Sequence, residues 1–236
     1  MNNTAAVTKL HFNKREISLL VPASILLLAI LISVIIALAM QRGGVDPTSA
    51  EYVAGFRNNT GVVGSITGFL VYLGVQAVAT TFPFGMSLGT TRRAYTLGTV
   101  MYFVVQAAYI AVISVVLLFV EKLTGHWFVS AYALDSGLLG DGNPFKLAVV
   151  MFVLTLTAMS IGGVFGAVFV KAGAKGPLIL GISLGLVLAL AILFTVPYFS
   201  AIFASGVMAK LLGAGLVIAL VANCGTYLGL RTASVR

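Results

Sequence analysis

Six runs of about 20 apolar residues, separated by short polar segments, set the pattern of this chain. They cover residues 17–40, 62–82, 97–120, 147–170, 178–196 and 206–230. A helix needs about 20 apolar residues to cross a bilayer. The pattern therefore predicts an all-α polytopic membrane protein with six transmembrane helices, forming one membrane domain over residues 1–236. The first run is too long for a signal-peptide core, and no small-residue cleavage motif follows it, so it reads as a retained span. Pro22, near its start, is either tolerated or kinks the entry.

The polar segments carry the punctuation. Residues 41–61 hold Gly43, Gly44 and Pro47 as breakers. Pro83 ends the second run, and the stretch Phe84-Gly-Met-Ser-Leu-Gly-Thr-Thr-Arg-Arg-Ala-Tyr-Thr-Leu-Gly98 follows. Residues 121–144 contain the only tryptophan, and His126, Trp127 and Phe128 are expected to anchor that loop at the membrane interface. A short basic turn over 171–176 precedes Pro177, which suits the first turn of a new helix. Ahead of the first run, Val7, Leu10 and Ile17 share one helical face while Lys9, Asn13 and Glu16 share another. That segment is modestly amphipathic, although Phe12 falls off the stripe.

Charge orients the spans. Six spans put both termini on one side, and basic residues gather in cytoplasmic loops. The segments on the side of the termini hold Lys9, Lys14, Arg15, Arg92, Arg93, Lys171, Lys175, Arg231 and Arg236, nine of 14 basic residues, with Glu16 as the one acid. The opposite side holds five basic and five acidic residues, so the two sides carry net charges of +8 and 0. Both termini and the 84–98 stretch are thus expected in the cytoplasm. Composition fits a membrane body: 60% of residues are hydrophobic and 8% charged, against about 25% charged in soluble domains. The basic balance follows membrane topology rather than nucleic-acid binding. The single cysteine, Cys224, excludes an intrachain disulfide.

The spans lack the groups that drive chemistry or ion-coupled transport. No Asp, Glu or His lies deep in any run, whereas proton- or sodium-driven carriers commonly hold a carboxylate there. His11 and His126 fall on opposite sides, which disfavours an intramembrane serine protease. No phosphate loop of the GxxxxGK[ST] kind occurs, and no cluster suggests a metal. The chain is expected to be no enzyme and to hold no cofactor of its own. Small residues at GxxxG spacing (Gly64/Gly68, Gly162/Gly166, Gly181/Gly185 and Gly225/Gly229) offer close helix approach. Gln76, Gln106 and Asn223 must face protein or a wet cavity. They serve either as interhelical hydrogen bonds or, with Tyr102, as the lining of a substrate path.

The 17 residues from Phe82 to Gly98 resemble the stretch after the second span of ABC-2-type permeases, the membrane subunits of a class of ATP-binding-cassette transporters. Members carry a glycine, a small hydroxyl residue, one or two arginines and an aromatic residue there. The wider layout is similar: six spans, cytoplasmic termini and an amphipathic N-terminal segment, which would be an elbow helix along the inner leaflet. The resemblance implies a permease subunit, an exporter by family, with two such chains (a homodimer or related heterodimer) and two nucleotide-binding ATPase subunits holding ATP and Mg. It implies a multi-pass protein of the cell membrane, the bacterial inner membrane by this reading, touching lipid and no nucleic acid. It assigns ATPase coupling to the 84–98 stretch. There Ser87, Thr90 or Thr91 can cap a short helix, Arg92 and Arg93 can pair with carboxylates of the ATPase, and Tyr95 can act as an aromatic anchor. It also implies a partly re-entrant element over 197–205. The 121–144 loop is long for so compact a chain, and the substrate is not implied. The alternatives are a membrane scaffold or sensor without transport, and a passive channel.

Overall fold

A computed structural model describes residues 3–13, 15–196 and 206–233. Among them every regular element is helical. The main helices are α1 Asn3–His11, α2 Val21–Arg42, α3 Ala50–Arg57, α4 Gly61–Ala79, α5 Thr81–Ser87, α6 Arg92–Leu123, α7 Pro144–Ala172, α8 Lys175–Thr195 and α9 Val207–Thr232. Six helical stretches are long and apolar enough to cross a membrane, as the six apolar runs predict, and the chain is a multi-pass membrane protein. The 197–205 segment, expected to be re-entrant, lies outside the described residues, as do Lys14 and Arg236.

Several boundaries differ from expectation for local reasons. Pro83 does not end the second span where it stands. It lacks an N–H for the Ala79 carbonyl, so α4 stops at Ala79 and α5 restarts with Pro83 in its first turn. The third span, α6, starts at Arg92, within the stretch expected to be polar connection. The 41–61 connection contains α3, whose N-cap Ser49 accepts a hydrogen bond from Tyr52 N–H at 3.3 Å.

The described residues form two compact units. The first comprises residues within 1–11, 71–103 and 157–236. Here α4 and α7 approach through glycine: a Cβ at Gly162 would meet the Val71 carbonyl oxygen at 2.1 Å, and one at Gly166 would meet that of Val75 at 2.8 Å. Of the four GxxxG pairs this is the one seated in a tight helix crossing, since Gly64, Gly68 and Gly185 face open space. Helices α7 and α9 are joined by Asn223 Nδ2 donating to Ser160 Oγ at 2.8 Å and Thr157 Oγ1 donating to the Gly215 carbonyl at 3.0 Å. In α8 only Gly176 is fully buried, and most of the helix is exposed.

The second unit comprises residues within 12–70 and 104–156. A wide turn, Glu16–Leu20, precedes α2. Pro22 cannot donate to Ser18, four residues back, and the Gln106 amide donates to that carbonyl instead at 2.6 Å. The Tyr109 hydroxyl donates to the Leu19 carbonyl at 2.9 Å. The 124–143 loop is organised by Glu121, a fully buried carboxylate. It accepts the backbone N–H groups of Ala133, Leu134 and Asp135 at 3.2, 2.8 and 3.2 Å, and the Trp127 indole N–H at 3.2 Å. These bonds hold a left-handed turn in which Gly125, His126, Trp127 and Phe128 all have φ near +60°. Each non-glycine residue there costs about 1–2 kcal/mol. The expected interfacial anchor is therefore divided. Phe128 points outward with 83% of its surface exposed, whereas Trp127 is tied to Glu121 and His126 pairs with Asp135 at 3.2 Å.

Candidate functional site

The polar stretch between the second and third spans folds into a tight turn within the first unit. Helix α5 closes with Gly89 in the left-handed region (φ 76°). The Thr90 N–H donates to the Gly85 carbonyl at 3.2 Å and the Gly89 N–H to that of Met86 at 3.0 Å. This pair of bonds is the Schellman closure, and a side chain at position 89 would strain it. Ser87 Oγ donates back to the Phe84 carbonyl at 2.7 Å. Thr91 Oγ1 accepts the Ala94 N–H at 3.2 Å and so caps α6, while Thr90 sits half-buried in the turn.

The two arginines separate. Arg92 Nη1 donates to the Leu230 and Arg231 carbonyls at 2.6 and 2.8 Å. These belong to the last turn of α9, where carbonyls lack helical partners and carry partial negative charge. Arg92 is thus a clamp within the fold, contrary to the expectation that both arginines face a partner. Arg93 is exposed.

Tyr95 is likewise internal and cannot serve as a surface anchor. It is fully buried, and its hydroxyl donates to the Ala77 carbonyl at 2.5 Å. Its ring meets Phe82 edge-on at 5.1 Å and His11 at 5.8 Å. Gly85 makes room for it, since a Cβ there would lie 2.9 Å from the ring. Val7, Val78, Phe82, Ala167 and Leu230 complete the same core. Helix α1 docks on α6 where Gly98 has no side chain: a Cβ would lie 2.6 Å from that of Val7. Thr8 Oγ1 donates to the Gly98 carbonyl at 3.1 Å, and His11 Nε2 bonds Thr99 Oγ1 at 3.1 Å. Burial holds His11 well below the usual imidazole range, at about 4.

What the turn leaves outside is a compact surface of Phe84, Ser87, Leu88, Thr91 and Arg93. It combines two large apolar side chains, 53% and 64% exposed, with hydroxyls and one cation. In the sequence Phe84 and Leu88 are marked only by their apolar character inside a polar stretch, whereas Arg92 and Arg93 stand out by charge.

The candidate path residues each have partners within their own unit. In the first unit Tyr102 is buried and stacks on His11 at 4.8 Å, and Asn223 bonds Ser160 and the Ala219 carbonyl. Gln106 belongs to the second unit, where it serves the Ser18 carbonyl. Gln76 alone lies on a partly open helix face, linked to Tyr72 Oη at 2.7 Å and to Thr80 Oγ1 at 3.1 Å. Comparison with protein-family models, curated proteins and solved structures finds no match for this chain.

Proposed function

We propose that this chain is the membrane subunit of an ABC-2-type exporter, driven by a separate ATPase that docks on the turn around Arg93. The supporting observation is mechanical. The exposed residues Phe84, Ser87, Leu88, Thr91 and Arg93 sit on a turn that is braced on every side. Tyr95 ties it to α4, Arg92 to the end of α9, and Gly98 to α1. A partner gripping that surface would move α1, α4 and α9 together with the turn instead of deflecting a loose loop. Arg93 suits a carboxylate on the partner, and Phe84 and Leu88 suit an apolar groove. In this reading the termini and the turn are cytoplasmic, the side that the charge asymmetry favours. Two copies assemble with two ATPase subunits that hold ATP and Mg, in a bacterial inner membrane. ATP-driven closure of the ATPases pulls on both turns and opens a path for export.

The test is co-expression with an ATPase encoded beside this chain, followed by affinity purification in mild detergent. Wild type retains the ATPase, and Arg93→Glu loses it while remaining folded. Retention unchanged in Arg93→Glu combined with Phe84→Ala and Leu88→Ala would remove the turn as the docking surface.

A further inference from the structure

The second unit contains a cleft of about 400 Å³ that the transport reading does not use. Ile36 and Met40 from the end of α2 form one wall, and Tyr52, Gly55 and Phe56 from α3 form the other, with Glu51 and Asn59 also lining it. The volume lies within the range of sites that hold small organic molecules. We propose that this cleft binds an amphipathic organic cation, its alkyl part between α2 and α3 and its charge beside Glu51.

Three observations carry the assignment. The first is position. The apolar run of α2 ends at Met40, followed by Gln41 and Arg42, so Ile36 and Met40 occupy the last turns before the chain becomes polar. A cleft there opens where hydrocarbon meets headgroups, the depth at which amphiphiles reside. The second is the wall. Tyr52 and Phe56 are buried and pack ring to ring at 4.6 Å, and their cluster with Ala37 and Ala131 is backed by Trp127. The third is charge. Glu51 is exposed at the cleft, and no basic side chain among the described residues lies within ion-pair distance of it. Arg57, on the same helix, pairs with Asp135 at 3.3 Å instead. An apolar cleft whose one charged lining group is an unpaired carboxylate selects a cation over an anion. The Asn59 side chain is committed to Ser33 Oγ at 3.2 Å and to the Gly61 N–H at 2.7 Å, which leaves Glu51 as the discriminating group.

The site is independent of whether an ATPase drives the chain, and the sole tryptophan is a built-in reporter because Trp127 packs against the cluster behind the cleft. The full chain is placed in zwitterionic nanodiscs and titrated with bromododecyl-trimethylammonium or with bromododecyl sulfate, whose bromine quenches nearby indole. The ammonium compound should quench saturably, and the sulfate only in proportion to its partitioning into the bilayer. Gly55 lines the cleft and has open space where a Cβ would stand, so Gly55→Leu adds bulk at the cleft wall and should abolish the saturable phase. Glu51→Gln keeps the shape and should weaken ammonium binding by about fivefold, the value of one partly exposed ion pair. Equal saturable quenching by ammonium and sulfate would identify an acyl-chain groove without charge selection and overturn the proposal. So would saturable ammonium quenching that persists in Gly55→Leu, or an affinity unchanged in Glu51→Gln.

Discussion

Replacing Tyr95 separates an internal brace from a surface anchor. Its side chain is fully buried, its hydroxyl meets the Ala77 carbonyl at 2.5 Å, and its ring lies against Phe82, Val7 and Leu230 in one core. Truncating a buried aromatic side chain to alanine costs about 3–5 kcal/mol, because both contacts and cavity count. Tyr95→Phe removes only the hydroxyl, at a net cost of about 0.5–1.5 kcal/mol. For a chain of this size each kcal/mol moves the melting midpoint by about 2–4 °C, so Tyr95→Ala should melt on the order of 10 °C lower and Tyr95→Phe only a few degrees lower. The assay is thermal unfolding of the purified chain in one detergent at one scan rate, followed by near-UV circular dichroism. The two variants should rank in that order, and both should loosen α1, which shares the core through Val7 and His11. A Tyr95→Ala protein that melts within about 1 °C of wild type would mean that Tyr95 is no internal brace, since an exposed aromatic anchor could be lost at no cost in stability.

Other consequences follow from the same geometry. Arg92→Ala removes two charge-assisted bonds to the end of α9 and should cost about 1–3 kcal/mol, seen as faster hydrogen exchange at the last turn of α9, whereas Arg93→Ala should leave exchange unchanged. Gly162→Leu should prevent folding, because the Val71 carbonyl oxygen lies where its Cβ must go, while Gly185→Ala, which meets nothing, should stay within about 0.5 kcal/mol of wild type; yield of monodisperse protein distinguishes them. His11 has a folded-state pKa of about 4, below its unfolded value of about 6.5, so the unfolded chain binds the extra proton between those values. Stability is full above about pH 6.5 and declines by up to about 3 kcal/mol as pH falls through 4; a midpoint series from pH 7.5 to 4 should show that slope, reduced in His11→Phe.

The six spans were legible because each is a continuous apolar run, and hydrocarbon forces such a run into a helix because its backbone N–H and C=O groups must bond one another. The turn at 84–98 was legible as an interruption, and its Gly89 and Thr91 as local punctuation. The inward direction of Tyr95 and Arg92 was not legible. Tyr95 is buried only because Gly85 leaves space and α1 returns to α6 at Gly98, and Arg92 is used only because α9 ends beside it, 138 residues later. Such contacts leave no periodic trace. The same holds for Glu121. An acid at the end of an apolar run reads as a solvated charge, yet it collects four N–H donors from the following loop. Gln106 was legible in principle: Pro22 leaves the Ser18 carbonyl without its usual donor, and an amide elsewhere in the membrane is a natural replacement. Choosing Gly162/Gly166 among four pairs of equal spacing required knowing which helices cross.

Under the proposed function, force enters through the turn bearing Arg93. That proposal is measured as ATP hydrolysis by an ATPase encoded beside this chain, purified and assayed alone and with this chain reconstituted in lipid vesicles. Wild type should change the hydrolysis rate, and Arg93→Glu, folded to the same melting midpoint, should return it to that of the ATPase alone. A rate altered equally by wild type and by Arg93→Glu, or by neither, would contradict coupling at this turn.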